Sequence, residues 1–292
     1  MTRSRLRVSS PNRAFDPTQP GALDAAILTQ REALYRELSG QLPDDAVLAV
    51  FRLKYDCHNI KTLIKARGAD VSALLLDAGT IPAQELAQRR RESEGWAFLS
   101  APMAHAALDA ERVLAETGDA RRSDLLVDAA CFARQLELAQ ASGCQILADY
   151  VRALIDGANL KSLVRTLRLK KDAAFLRELL LPGGTVSPER IVQHGFSSSA
   201  AELFAGSALA QAAQAAEAAA AGGSLTELER LCDNAALNVI GRARRVPFGV
   251  EVPVGYVAAR ENELMSVRLV ITGLLAGIPA DQIRERLRET NG

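Results

Sequence analysis

The chain has 292 residues, 48% of them hydrophobic, and its basic and acidic residues balance to a formal net charge of zero. The apolar content can bury a large core, which excludes a disordered chain, and the balanced charge argues against a dedicated nucleic-acid-binding protein. Aromatic residues make up only 4%, and alanine and leucine are abundant, so the predicted fold class is all-α.

The N-terminal region, residues 1–20, is predicted to be a flexible arm because it is rich in proline and poor in apolar residues. It contains no apolar signal core, and the cysteines show no CxxC spacing, so the expected location is the cytoplasm with reduced thiols. The longest apolar run, residues 269–279, is broken by glycine and proline, which excludes a membrane-spanning helix. Two helices are then predicted, at residues 22–38 and about 44–67.

The second of these helices carries a ten-residue phrase that recurs along the chain. Residues 56–65 (DCHNIKTLIK) align without a gap with residues 156–165 (DGANLKSLVR), and a weaker copy, ELMSVRLVIT, begins at Glu263. A glycine and then a proline follow each copy, an order that ends one helix and starts the next. The chain is therefore predicted to form one helical domain of three repeats. Their predicted bounds are residues 21–100 (shortened), 101–195 and 196–292.

The helices between the copies carry a second pattern. Helices are predicted at residues 102–117 and 123–141, and acidic and apolar residues at i, i+4 and i+8 spacing share one helical face before the second and third copies. These residues are Asp124, Asp128 and Phe132, and then Glu229, Asp233 and Leu237. The region before the first copy lacks this landmark. An Ala-rich stretch within residues 197–223 is predicted to form a thin, weakly anchored helix that acts as a spacer.

Basic residues in the first two copies form candidate partner-binding faces. Their helical spacing places them on one side of each helix. They are Lys61, Lys65, Lys161, Arg165 and Arg168. One interpretation is a docking surface for an acidic partner, where charge would set orientation and association rate. The other is pairing with acids of the same chain, such as Asp56 and Asp156.

Polar residues of the copies are predicted to be structural nodes between packed helices. An acid and an Asn lie three positions apart among aliphatic neighbours, and such groups are costly to bury without hydrogen-bond partners. The predicted nodes are Asp56, Asn59, Asp156, Asn159, Glu263 and Arg268.

Nothing in the sequence predicts a catalytic site. The histidines, His58, His105 and His194, are far apart and lack metal-ligand spacing, and neither a glycine-rich phosphate loop nor a nucleophile motif occurs. We expect no enzyme activity, no metal and no cofactor. An enzymatic interpretation rests only on scattered histidines and on carboxylate pairs such as Asp124 and Asp128.

The ordered combination of these strings resembles a known family. The strings are YDCHNIKTLIKA at residues 55–66, DLLVDAACF at 124–132, LIDGANLKSLVRTLRLK at 154–170, LTELERLCDNAAL at 225–237 and YVAARENELMSVRLVITGLLAGIPADQIRERLRE at 256–289. They resemble the C subunit of the rotary V-type ATPases, including the archaeal and bacterial A/V-type complexes, which is similar to the d subunit of the eukaryotic vacuolar enzyme. The resemblance covers roughly residues 50–290.

The resemblance implies a pseudo-threefold funnel of helices with no catalytic site. It implies a component of the central rotor, one copy per complex, that joins the central-shaft subunits to the membrane proteolipid ring. Such a socket couples proton or sodium transport to ATP hydrolysis or synthesis, and it is peripheral on the cytoplasmic side of the cell membrane. The alternative is a helical-repeat adaptor that binds other soluble proteins, an interpretation favoured by the Ala-rich stretch and the short region before the first copy.

Overall fold

The computed structural model describes residues 16–19, 21–42, 45–92 and 95–289, and most of the predicted N-terminal arm lies outside them. Within these ranges the chain is helical and contains no strand, which confirms the all-α prediction. The helices are α1 (Ala22–Leu38), α2 (Ala46–Ala66), α3 (Ala83–Arg91), α4 (Ala101–Thr117), α5 (Ala120–Ala141), α6 (Gln145–Arg168), α7 (Ala173–Leu179), α8 (Pro188–His194), α9 (Ala200–Leu203), α10 (Ala210–Ala220), α11 (Leu225–Gly241), α12 (Glu251–Leu275) and α13 (Ala280–Arg286).

The helix boundaries follow local stop and start signals. Gly118, at a φ of 69°, ends α4 in the left-handed conformation that favours glycine. The side chain of Asp119 then caps α5 by accepting a hydrogen bond from the backbone N–H of Arg122 at 3.0 Å. The predicted helix at residues 22–38 coincides with α1, so local pattern alone located these elements.

The long helices that carry the copies pack in antiparallel pairs. Helix α2 packs against α5, α6 against α11, and α12 against α1. Helix α5, which precedes the second copy, therefore lies against the first copy. Helix α11, which precedes the third copy, lies against the second.

One hydrophobic cluster joins the same end of all three pairs, which we call the shared end. It contains the C-terminal part of α1, α5 and α11 and the N-terminal part of α2, α6 and α12. Its members include Tyr35, Val47, Ala139, Leu147, Ile240 and Val254, each at most 2% exposed.

The opposite ends of the pairs belong to separate clusters, and we call these the separated ends. Ile60 and Val127 belong to the cluster of α2 and α5, while Leu160 and Cys232 belong to that of α6 and α11. A third, small cluster of α12 and α1 contains Leu264, Ile27 and Leu23. The three pairs thus share a core at one end and have individual cores at the other.

The Ala-rich helix differs from the prediction. Ala212, Ala213, Ala216 and Ala219 of α10 are each at most 2% exposed and lie in the same cluster as α6 and α11. Because the alanine side chain is small, neighbouring helices can approach closely and bury it almost completely. The expectation of a weakly anchored spacer was wrong, because α10 is part of the core.

Candidate functional site: repeat contacts and basic faces

Asn59 and Asn159 make the same pair of hydrogen bonds. The side-chain amide of Asn59 donates to the backbone carbonyl of Leu76 at 2.8 Å, and its carbonyl accepts from the N–H of Leu76 at 2.8 Å. Asn159 makes the equivalent two bonds to Leu181, also at 2.8 Å each. Both asparagines are fully buried, so each one satisfies a backbone segment that follows its helix.

Asp56 and Asp156 lie one turn earlier on the same helices and hold the next part of each segment. Asp56 accepts hydrogen bonds from the backbone N–H of Thr80 at 2.9 Å and of Ile81 at 3.2 Å, and Asp156 accepts one from the N–H of Val186 at 3.2 Å. Burial raises the pKa of both carboxyls above the usual range, while these hydrogen bonds oppose the shift.

A glycine lies against each of these carboxylates. A Cβ atom on Gly79 would overlap the Asp56 carboxylate, and one on Gly184 would overlap that of Asp156. The glycine that follows each of the first two copies in sequence is therefore required by close approach to the acid of the copy.

The third copy does not repeat this arrangement. Glu263 is 45% exposed and pairs with Arg260 on its own helix, and the Arg268 side chain is 52% exposed. Neither residue makes the buried contact predicted of a node. Ser266 replaces the asparagine, and only residues 276–279 separate α12 from α13, so no long segment is available to be held.

The basic face of the first copy is paired within the chain. Lys61 lies 2.6 Å from Asp128 and Lys65 lies 3.0 Å from Asp124, both across the contact between α2 and α5. This is the intramolecular alternative, but the acids belong to the neighbouring helix rather than to the copy itself. The Lys61 side chain is only 23% exposed, which leaves little of it for a partner.

The basic face of the second copy repeats part of this arrangement. Arg165 lies 2.9 Å from Glu229 of α11, and Arg168 donates to the backbone carbonyl of Gly223 at 3.2 Å. Lys161 is half-buried beside Cys232; burial raises the pKa of the Cys232 thiol to about 12, and the Lys161 charge opposes that shift. Arg165 thus occupies the position of Lys65, and Glu229 that of Asp124.

A counterpart of the Lys61–Asp128 pair joins the last copy to the first helix. Arg268, which aligns with Lys61, lies 2.8 Å from Asp24 of α1. Asp24 was not predicted as a landmark, because Pro20 occupies the preceding position of the i, i+4, i+8 pattern. The available signal was Asp24 followed by Leu28, at the same spacing as Asp128 and Phe132.

A buried carboxylate that was not predicted from the sequence connects three helices at the shared end. Glu261 of α12 is 6% exposed and lies 2.9 Å from Arg31 of α1 and 3.0 Å from Lys54 of α2. It also accepts hydrogen bonds from the hydroxyls of Tyr35 at 2.7 Å and Tyr55 at 3.0 Å. Burial would raise the pKa of Glu261, but Lys54 and Arg31 outweigh it and hold the pKa below the usual range.

No group of three or more His, Cys, Asp and Glu side chains in the described ranges could hold a metal ion. Within the same ranges, no helix is both long and apolar enough to cross a bilayer. The arrangement of buried polar residues instead connects helices and loops of the chain to one another.

Comparison with known proteins gives the family of the chain. A sequence model of the ATP synthase (C/AC39) subunit matches residues 12–286. The chain belongs to this family. It is 20% identical to the C subunit of the V-type sodium ATPase of Enterococcus hirae over 278 residues, which cover 91% of the chain and 82% of that protein. The chain is therefore a subunit of an ATP synthase or ATPase complex.

Two archaeal proteins are also similar. The C subunit of the A-type ATP synthase of Methanocaldococcus jannaschii is 26% identical over 290 residues, which cover 92% of the chain and 72% of that protein. The corresponding protein of Thermococcus onnurineus is 27% identical over 145 residues, which cover 48% of the chain and only 38% of that protein. The family is established by the sequence model that matches residues 12–286, and at 20–27% identity individual contact residues do not transfer from the relatives.

Proposed function

We propose that the chain is a non-catalytic socket in the central rotor of a V/A-type rotary ATPase, where it joins the central shaft to the membrane proteolipid ring. The observation that carries the proposal is the relation between the three helix pairs, which share one core at one end and have individual cores at the other. Three pairs arranged in this way would form a pseudo-threefold funnel. Family membership and the names of the relatives support the same role.

The shape suits a coupling role for a physical reason. A rotary complex must connect an asymmetric shaft to a ring of identical subunits, and a funnel of three similar walls offers contacts of both kinds. The buried Glu261 network would keep the walls together under load, because separating them would leave an uncompensated charge. In this proposal the chain is peripheral on the membrane, present in one copy per complex, and contributes no chemistry of its own.

The basic faces act indirectly in this proposal. Lys61, Lys65 and Arg165 hold the two helices of a pair in register, and an acidic partner would have to compete with Asp124, Asp128 and Glu229 for them. Direct docking to these residues is the competing hypothesis, which a charge-swap experiment can separate.

The experiment that tests the socket is affinity purification of the tagged chain from detergent-solubilised membranes of its host, with photo-crosslinking groups at each end of the funnel. One group replaces Leu169, 62% exposed after α6, and the other replaces Gln41, which is exposed in the connection between α1 and α2 at the shared end. We expect the proteolipid ring and the shaft subunits to co-purify and to crosslink at opposite ends. Crosslinking of both partners to the same position would contradict the socket.

The same purification tests the adaptor alternative. Recovery of soluble proteins alone, with neither ring nor shaft, would replace the rotor role with that of a helical-repeat adaptor. The variant Gly206→Ala is the control for an altered chain that is purified in the same way, because a Cβ atom there meets nothing within 4 Å and should leave the fold unchanged.

A further inference from the structure

The connection between α11 and α12, residues 242–250, is the longest of the three connections at the shared end. The equivalent connections are residues 39–45 between α1 and α2 and residues 142–144 between α5 and α6. All three leave the same hydrophobic cluster, but only this one carries a group of cations and an exposed aromatic ring. We call residues 242–250 the Arg–Phe loop.

The cations of the loop are not neutralised. Arg242, Arg244 and Arg245 are exposed, and none of them has a carboxylate within salt-bridge distance among the described residues. A second Arg triplet provides the contrast: Arg89 lies 2.8 Å from Glu85, and Arg90 pairs with Glu111 at 2.5 Å. The loop thus carries three cations without a salt-bridge partner, and one carboxylate, that of Glu251, lies beside it at Gly249.

An apolar surface adjoins these cations. Phe248 is 83% exposed, the highest exposure of any large hydrophobic side chain in the described ranges. It lies between Pro247 and Gly249, whose φ of 101° turns the chain sharply. Val252 and Tyr256, 47% and 44% exposed, follow at i and i+4 on one face of α12.

We infer that the Arg–Phe loop binds the surface of an anionic lipid bilayer. Guanidinium groups bind headgroup phosphates, and an aromatic ring beside them is suited to the boundary between headgroups and acyl chains. The high exposure of Phe248 fits insertion into a soft apolar layer better than a fit into the pocket of a protein partner. The inference rests on the arginines and Phe248 of the loop and not on the rotor role. Vesicles without other proteins therefore test it independently of the ATPase.

The test is co-sedimentation of the full chain with vesicles of phosphatidylcholine that contain phosphatidylglycerol, and with vesicles of phosphatidylcholine alone. We expect binding to the anionic vesicles only, and weaker binding at high salt because screening reduces surface attraction. The triple variant Arg242→Gln, Arg244→Gln, Arg245→Gln should weaken binding roughly a hundredfold, since each arginine near an anionic surface contributes roughly fivefold.

A matched control separates the effect of charge in the loop from the effect of the same charge elsewhere on the surface. Arg122, Arg177 and Arg190 are exposed on three different helices and have no salt-bridge partner among the described residues, so changing all three to Gln removes the same charge without altering the loop. This control triple should bind anionic vesicles within about twofold of the unaltered chain if the effect is local to the loop. Equal losses in the two triples would overturn the inference.

A fluorescent reporter tests insertion of the loop itself. Trp96 is the only tryptophan and is 1% exposed, so its emission should not respond to vesicles. In Phe248→Trp, emission should shift to the blue with anionic vesicles and stay unchanged with neutral ones. An unshifted emission, or failure of the unaltered chain to bind anionic vesicles, would overturn the inference. If the unaltered chain does not bind anionic vesicles, and the loop triple variant no longer co-purifies with a protein that the unaltered chain retains, the loop is a protein-binding site instead.

Discussion

The Nε atom of Arg268 in α12 lies 2.8 Å from the Oδ1 atom of Asp24 in α1, and the two residues are 244 positions apart. Arg268 occupies the position of Lys61 in the first copy, and Asp24 occupies that of Asp128. Both Arg268 and Asp24 are more than half exposed, so the pair contributes less than about 1 kcal/mol. Its value is in showing that the first helix pairs with the last copy.

The glycines beside the buried aspartates should not accept a side chain. Gly184→Ala would bring a Cβ atom to 3.2 Å from Cγ of Asp156 and closer still to its carboxylate oxygen, and we expect a loss of about 2–4 kcal/mol in the free energy of unfolding. Urea denaturation measures the loss. Gly206→Ala is the control and should stay within about 0.5 kcal/mol of the unaltered chain. Equal stability of the two variants would show that the segment after α6 is not held as described.

Removal of the Asn159 side chain should destabilise the fold before it affects assembly. Asn159→Ala leaves the N–H and carbonyl of Leu181 without partners in a buried place, which costs about 2–4 kcal/mol for the two groups. Thermal melting compares it with Asn238→Ala, whose side chain is exposed and makes one long bond to Glu289. Unchanged melting of Asn159→Ala together with lost assembly would assign Asn159 to a partner contact.

Glu261→Gln should lower the free energy of unfolding at neutral pH, and that free energy should then depend less on pH in the acidic range. The neutral amide leaves Arg31 and Lys54 without their counter-charge, at a cost of about 3 kcal/mol. The pKa of Glu261 is lower in the folded chain than its usual value of 4.5, so its contribution is present above that value and is lost as pH falls through the folded pKa.

The measurement for Glu261 is urea denaturation at about pH 7 and about pH 4. The difference between Glu261→Gln and the unaltered chain should shrink at the lower pH. The raised pKa values of Asp56 and Asp156 act in the opposite sense, since their contributions grow as pH falls, but they are common to both proteins. Glu263→Gln, two positions away and 45% exposed, is the control. A constant difference at both pH values would show that the pKa of Glu261 is the same in the folded and unfolded chains, and would contradict the lowered pKa.

A charge swap separates pairing from docking at Arg165. Arg165→Glu places a like charge beside Glu229 and should cost about 0.5–1 kcal/mol, measured by urea denaturation, and Glu229→Arg in the same chain should restore it. If Arg165 acts only within the chain, co-purification of ring and shaft recovers with stability. Restored stability without restored co-purification would make Arg165 a docking residue.

Local pattern was enough to predict the helices and the relation between the first two copies. The all-α class, the helix at Ala22–Leu38 and the turn that follows each copy depend on periodicity, glycine and proline, which act over a few residues. The same pattern placed Asp56 and Asn59 at positions that the fold buries, because polar residues amid an aliphatic stripe must face the interior.

Only the tertiary structure decided which charges meet. In sequence, Glu261 and Asp24 look like ordinary surface acids, and Lys61 could face either a partner or its own chain. Their environments depend on helices that lie 59 to 244 positions apart, as in Lys65 with Asp124 and Arg268 with Asp24. Electrostatic energy depends on distance and burial, and neither is encoded in the spacing along one helix.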